Sequence, residues 1–100
     1  MDDCILALLA PPGIRDNLVD WLLAFHEELT FTSQMIDHYG AHPEAMGAAE
    51  QVTGSQRKLL LRVRLGREGA DRILAELGED FPGAGMEYWV IPLAGTGRIG

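Results

Sequence analysis

The stretch 58-KLLLRVRLGREGADRILAELGEDFPGAGMEYWV-90 contains a strand, a helix and a second strand in succession. Alternation in its first part places four apolar residues on one face of a strand, namely Leu59, Leu61, Val63 and Leu65. Helical spacing follows, with an apolar stripe made of Ile73, Leu74, Leu77 and Phe81. A glycine-containing turn at 82–85 ends this helix, and residues 86–93 are predicted as the last strand. The stretch therefore predicts a β-α-β unit.

The N-terminal half shows the same order of elements. Residues 4–10 are apolar at every position, which predicts a strand that is covered on both faces. A helix is predicted at roughly 13–27, with an apolar stripe of Ile14, Leu18, Trp21, Leu22 and Phe25. Partial alternation over 29–39 is typical of an edge strand.

The two halves together predict an α+β fold in a single domain, residues 1–100. The order βαββαβ is ferredoxin-like: a four-stranded antiparallel sheet with two helices on one face. Between the second and third strands lies a polar segment rich in small residues, from Gly40 to about Gln56. Irregular segments of this length are usually functional or disordered, and both interpretations apply to the loop at 40–56.

The face of the sheet without helices is also expected to be apolar. The first strand is apolar on both sides, and Leu60, Ile91 and either Tyr88 or Trp89 add to this face. Such a surface predicts an oligomer in which sheets pack against each other. The alternative is a tail or loop that folds over the sheet.

Composition limits the possible partners and the compartment. The formal net charge is -7, which disfavours nucleic acid and anionic lipid as partners. A single cysteine excludes an internal disulfide and favours a reducing compartment. The apolar run 4–10 is too short to span a membrane, and its acidic start is unlike a signal peptide. We therefore expect a cytoplasmic protein.

Several motifs resemble those of the PII signalling superfamily. Ala49-Glu50 precedes a lysine at 58 that opens the third strand, which is similar to the end of the PII T-loop. The run Gly83-Ala84-Gly85 resembles the Gly-x-Gly of the PII B-loop. The segments EQVTG (50–54) and FPGAGMEYWV (81–90) look still more like an uncharacterised PII-like family often encoded beside heavy-metal efflux pumps. That closer resemblance covers essentially the whole chain.

The resemblance implies a homotrimer with inward-facing sheets and ligand clefts between subunits. It also implies that the 40–56 loop reports ligand state to a target protein, for which an efflux-pump or other membrane-transporter component is a candidate. The expected ligand is a small anion, with an adenine nucleotide as one candidate. By this resemblance the ligand-binding residues are Lys58, Gly83, Gly85 and Arg98, and Arg57 is a further candidate because it is adjacent to Lys58.

Each of these residues also has a plain structural interpretation. Lys58 would be a solvated charge at a strand end, and the two glycines would form an ordinary helix end and turn. Alternation also predicts that Arg57 points to the opposite side of the strand from Lys58. Met86 stands where nucleotide-binding PII proteins have a basic residue.

The loop offers a second kind of site. His38 and His42, with Glu44 or Asp37, could ligate a divalent or cuprous metal. This pattern supports an alternative function, a metal-sensing or metal-handling protein associated with heavy-metal efflux. Exposed loop histidines with no ligand are the simpler interpretation. A third hypothesis is a protein that docks on an efflux component without any ligand.

No catalytic set is visible in the sequence. Ser33 and Ser55 have no histidine in a recognisable catalytic context. We therefore expect a protein that is not an enzyme.

Overall fold

The predicted strands form one antiparallel sheet. The computed structural model describes residues 2–40, 42, 44 and 46–100. The strands are β1 (Asp3–Ala10), β2 (Thr30–Tyr39), β3 (Ser55–Gly66) and β4 (Glu87–Pro92), in the order β2-β3-β1-β4. Neighbouring strands are antiparallel throughout. The structure confirms the predicted ferredoxin-like α+β fold, with β2 at one edge.

Two helices cover one face of the sheet, and the first is shorter than predicted. A 3-10 turn at Pro12–Ile14 leads into α1 (Arg15–Leu23), whereas the sequence predicted a helix to about 27. The amide of Phe25 donates to the carbonyl of Leu22 at 3.3 Å, so the chain tightens into a turn there. The second covering helix is Arg67–Asp80. No helix in the described ranges is long and apolar enough to cross a membrane.

The core lies between this face and the two covering helices. Alternation in the sequence predicted the buried residues Leu59, Leu61 and Val63 of β3, whereas Leu65, predicted with them, is only partly buried. Alternate residues of β1 are buried on the same face: Cys4, Leu6, Leu8 and Ala10. The helices contribute Leu18, Leu22, Ala70, Ile73 and Leu77. Cys4 is only 2% exposed, so it belongs to the core, and burial raises the pKa of its thiol above 9.0.

Part of the long loop is regular, which corrects the prediction of an irregular segment up to about residue 56. A short helix, α2 (Ala48–Thr53), lies in it, and the helix Arg67–Asp80 is therefore α3. The side chain of Glu50 accepts a hydrogen bond from the Gly47 amide at 2.9 Å, which caps the start of α2. Gly54 ends α2 at φ +75, and β3 begins at the next residue. Ala41, Pro43 and Ala45 lie outside the described residues.

The other face of the sheet, called here the open face, carries no helix and remains partly apolar. Trp89 and Ile91 are each 48% exposed there. The C-terminal tail reaches this face, since Arg64 Nη1 donates to Thr96 Oγ1 at 2.6 Å. The tail that the sequence offered as an alternative cover thus contacts the open face, but it leaves these large side chains accessible.

Candidate functional site

A cleft of about 260 Å³ lies where the loop leaves the sheet. It is called here the Lys58 cleft, and its lining residues are Leu9, His38, Gly40, His42, Gln56, Lys58, Gly85 and Glu87. It contains two of the residues predicted to bind an anion, Lys58 and Gly85. It also contains both histidines predicted to bind a metal. Some residues of each of the two sites that were predicted separately from the sequence therefore line one cleft.

Strand pairing explains how residues far apart in the chain meet in this cleft. His38 of β2 lies opposite Gln56 of β3, and Ile36 lies opposite Lys58. His38, Gln56 and Lys58 consequently share the open face, because side chains alternate along paired strands. On the other side of the cleft, Leu9 of β1 lies opposite Glu87 of β4.

The turn between α3 and β4 brings Gly85 to the cleft. The chain there uses two glycines in the left-handed region, Gly83 at φ +71 and Gly85 at φ +73. Residues with a side chain rarely adopt this conformation, so glycine suits both positions. Only Gly85 lines the Lys58 cleft, whereas Gly83 lines a separate cavity beside α3. The structure therefore places one of the two predicted glycines at this site.

Arg57 and Arg98 lie apart from the cleft. Arg57 points to the other side of β3, where its Nη1 is 3.3 Å from Asp37 Oδ1. That pair lines a different surface depression, together with Glu50 and Thr53 of α2. Arg98 is exposed in the tail that follows β4 and does not line the Lys58 cleft.

The predicted metal ligands are only partly assembled. His38 and His42 both line the cleft, whereas Glu44 is exposed and does not line it. Within the described part of the chain, no group of three or more His, Cys, Asp or Glu residues is arranged to hold a metal ion. The two imidazoles alone would give a metal an incomplete set of ligands.

Sequence reasoning did not single out Glu87 or Gln56 as members of this site. Glu87 adds a carboxylate to a cleft that already holds the Lys58 ammonium, so the cleft presents both signs of charge. Such a set can bind an anionic group through Lys58 and accept a hydrogen bond from a ligand hydroxyl or amino group through Glu87. Glu87 reaches the cleft because it pairs with Leu9, and this register between β1 and β4 could not be predicted from the sequence.

Comparisons with known proteins agree with this fold. A family model described as "Protein of unknown function (DUF3240)" matches residues 1–100. The crystal structure of a DUF3240 family protein from Shewanella baltica superposes with a TM-score of 0.79 at 17% identity, covering 100% of this chain and 99% of that one. A candidate PII-like signalling protein from Thermus thermophilus gives a TM-score of 0.61 at 18% identity, covering 93% of this chain and 91% of that one.

Curated proteins give no match. The likeness to the Thermus protein supports, at the level of the fold, the resemblance to PII-like proteins that the motifs suggested. The family match extends over the full 100 residues. The chain therefore belongs to the DUF3240 family.

Proposed function

We propose that this protein is a PII-like regulatory module that binds a small anionic ligand in the Lys58 cleft and signals through the loop that begins at Gly40. The observation that carries the proposal is the position of the cleft at the base of this loop. Gly40 and His42 belong to the loop, whereas Lys58 and Gly85 belong to the sheet and its turn. A ligand held between them would couple its own binding to the position of the loop.

The charge of the cleft suits an anion that is held at one point. The chain carries a net charge of -7, yet the half-buried Lys58 places a positive charge at the cleft. A lysine on a strand is a compact anchor for phosphate or carboxylate oxygens. Gly85 has no side chain, so the backbone at this point can approach a bound phosphate closely.

The size of the cleft favours completion by a second subunit. At about 260 Å³ it lies just below the roughly 300–1,000 Å³ of typical small-molecule sites. A nucleotide would therefore place only part of its volume against one chain. The exposed apolar side chains of Trp89 and Ile91 favour packing of the open face against other copies of the chain. We propose a homotrimer in which a neighbouring chain closes the cleft.

The loop offers a surface for a target protein. Tyr39 at its base is 66% exposed, and Val52 on α2 is 87% exposed. Apolar side chains on a signalling loop are suited to a partner contact that forms in one ligand state only. A component of a membrane transporter or efflux pump is the partner we propose.

Thermal unfolding of the metal-free protein with a panel of adenine nucleotides tests the proposal. A ligand that binds only the folded state raises its stability by about 2.7 kcal/mol at a hundredfold excess over its Kd. We expect a nucleotide to raise the unfolding temperature of the wild-type protein and to lose this effect in Lys58→Ala. If all nucleotides leave the unfolding temperature unchanged, adenine nucleotides are excluded as ligands.

A metal-sensing function is the second candidate, and the position of His38 and His42 in the same cleft favours it. A partner chain or a bound anion would have to supply the remaining ligands. The same unfolding assay with divalent and cuprous ions tests this function. A shift that is lost in His38→Ala/His42→Ala and kept in His26→Ala would support metal sensing, because His26 lies elsewhere and pairs with Glu76 at 3.0 Å. An unfolding temperature that neither nucleotides nor metal ions change would favour a protein that docks on its partner without a ligand.

A further inference from the structure

A second cavity lies on the opposite side of the sheet from the Lys58 cleft. It has a volume of about 500 Å³ and is walled by the last turns of α3, the 81–86 turn and the start of β4. Leu74, Leu77, Phe81 and Met86 provide apolar surface, and Tyr88 adds an exposed phenol. Every described side chain that lines this cavity is uncharged, although α3 itself carries several charges.

Gly78 in the wall of this cavity is a costly choice for a helix. It lies inside α3, where glycine is less stable than alanine by about 0.5–1 kcal/mol. A methyl group added at Gly78 would meet no atom within 4 Å, so packing inside the chain does not require a glycine. Gly78 does, however, line the cavity beside Leu77 and Phe81, so a larger side chain there would occupy part of this space. The loss of helix stability at Gly78 is explained if a ligand from outside the chain occupies this space.

We propose that this cavity, called here the Gly78 cavity, is a second ligand site that binds a small, uncharged and mainly apolar or aromatic molecule. Its volume falls within the roughly 300–1,000 Å³ of small-molecule sites. No side chain of opposite charge would compensate an ion there, because every described side chain of the lining is uncharged. The Tyr88 hydroxyl can donate or accept one hydrogen bond at the mouth, so one polar group on the ligand can be accommodated.

The Gly78 cavity is distinct from the Lys58 cleft although the two share a wall. Gly85 lines both of them, but consecutive strand residues line different ones. Leu8 and Tyr88 line the cavity, whereas Leu9 and Glu87 line the cleft. Adjacent residues of β1 and β4 thus divide between an apolar site and a charged one. Binding in the cavity does not depend on anion binding, so it can be tested independently of the function proposed above.

Titration of the full chain with Nile red, an uncharged apolar dye, tests this inference by fluorescence. Gly78→Leu and Ala75→Leu each place a bulky side chain in the cavity, and both should lower the dye affinity at least tenfold. Glu79→Leu adds the same side chain to α3 outside the cavity lining and should keep the affinity within twofold. Circular dichroism should show unchanged folding, because leucine favours a helix more than glycine does.

Other outcomes would overturn the proposal. Equal dye binding by wild-type protein and Gly78→Leu would place the dye elsewhere, and a matching loss in Trp89→Ser would point to the open face. A change of molar mass in Gly78→Leu, measured by light scattering with dye binding unaltered, would show that the cavity is a contact between subunits. Two results together would support the proposed site. The wild-type protein should saturate at one dye per chain, and Gly78→Leu and Ala75→Leu should both lose dye affinity at least tenfold.

Discussion

Arg57 and Lys58 are neighbours in the chain, but they serve opposite faces of the sheet. Arg57 Nη1 lies 3.3 Å from Asp37 Oδ1, on the side of α2, whereas Lys58 lines the cleft that contains His38 and Gly85. Alternation along β3 separates the two cations although one peptide bond joins them. The pair thus provides a matched experiment, in which the same charge is removed from one side or the other.

Lys58→Ala should weaken binding of an anionic ligand far more than Arg57→Ala. A hydrogen bond to a charged group contributes about 1.5–3 kcal/mol, which corresponds to a loss of affinity of roughly 10- to 100-fold. Arg57→Ala should change the affinity far less, because Arg57 lies outside the cleft and pairs with Asp37 on the other side of β3. Isothermal titration calorimetry with a nucleotide that binds the wild-type protein measures both. Equal losses in the two variants would mean that long-range charge, rather than contact at Lys58, determines binding.

The open face should make the protein a trimer in solution. Light scattering should give a mass about three times the 10.9 kDa of the chain. Trp89→Glu should reduce this mass, because a charge at a buried contact between sheets would lose its hydration. Val52→Glu is the control, since Val52 is an exposed apolar residue on α2 and should leave the mass unchanged. A wild-type protein that stays monomeric at micromolar concentration would contradict the trimer.

Cys4 should make stability depend on pH in the alkaline range. Burial raises the pKa of its thiol above 9.0, with Arg67 opposing the shift and Asp2, Asp3 and Asp71 adding to it. Because the folded pKa is the higher one, this contribution is complete below pH 9 and is lost as pH rises through the folded pKa. Denaturant unfolding should therefore show a steeper alkaline loss of free energy in the wild-type protein than in Cys4→Ala, by up to about 1.4 kcal/mol per pH unit.

The same burial predicts that the thiol reacts slowly with a disulfide reagent at neutral pH. Thiolate is the reactive form, and Cys4 is both protonated and 2% exposed. Modification as fast as that of a free thiol, or parallel pH profiles of Cys4→Ala and the wild-type protein, would contradict this account.

Gly54→Ala should destabilise the loop at the point where α2 ends. Gly54 adopts φ +75 and donates its amide to the Glu50 carbonyl at 2.8 Å, so a side chain there would be strained by about 1–2 kcal/mol. No neighbour would clash with the added methyl group, so the cost comes from the backbone alone. Gly13→Ala is the control, because Gly13 has equal space without a positive φ. Hydrogen exchange of the amides at 48–54 should be faster only in Gly54→Ala.

The topology could be predicted from patterns that are local in the sequence. Alternation over Leu59, Leu61 and Val63 identified a strand and its buried face, and helical spacing of Ile73 and Leu77 identified α3. Helix α2 was missed because it has no buried residue and depends on the cap by Glu50 and the left-handed Gly54 instead. The local features that define α2 are therefore the capping hydrogen bonds at its ends rather than a pattern of apolar residues.

The site was harder to predict than the fold. Lys58 and Gly85 were identified through a resemblance, and His38 and His42 through their chemistry, but nothing local in the sequence joined the two pairs. Their meeting depends on strand register, which is set by long-range packing. For the same reason Glu87 was not predicted as a site residue, although it lies close in the chain to Gly85, which was.

The unequal lengths of the strands leave a two-stranded part at one end of the sheet. β3 pairs with β2 as far as Ser55 opposite Tyr39, but with β1 only from Leu59 onward. Residues 36–39 and 55–58 therefore form a two-stranded arm, and isolated pairs of this kind are only marginally stable. The arm should fray as a separate cooperative unit while the four-stranded part stays intact. Lys58 lies where the arm joins the rest of the sheet. A ligand bound there would contact both parts and should therefore stabilise the strand pairing of the arm.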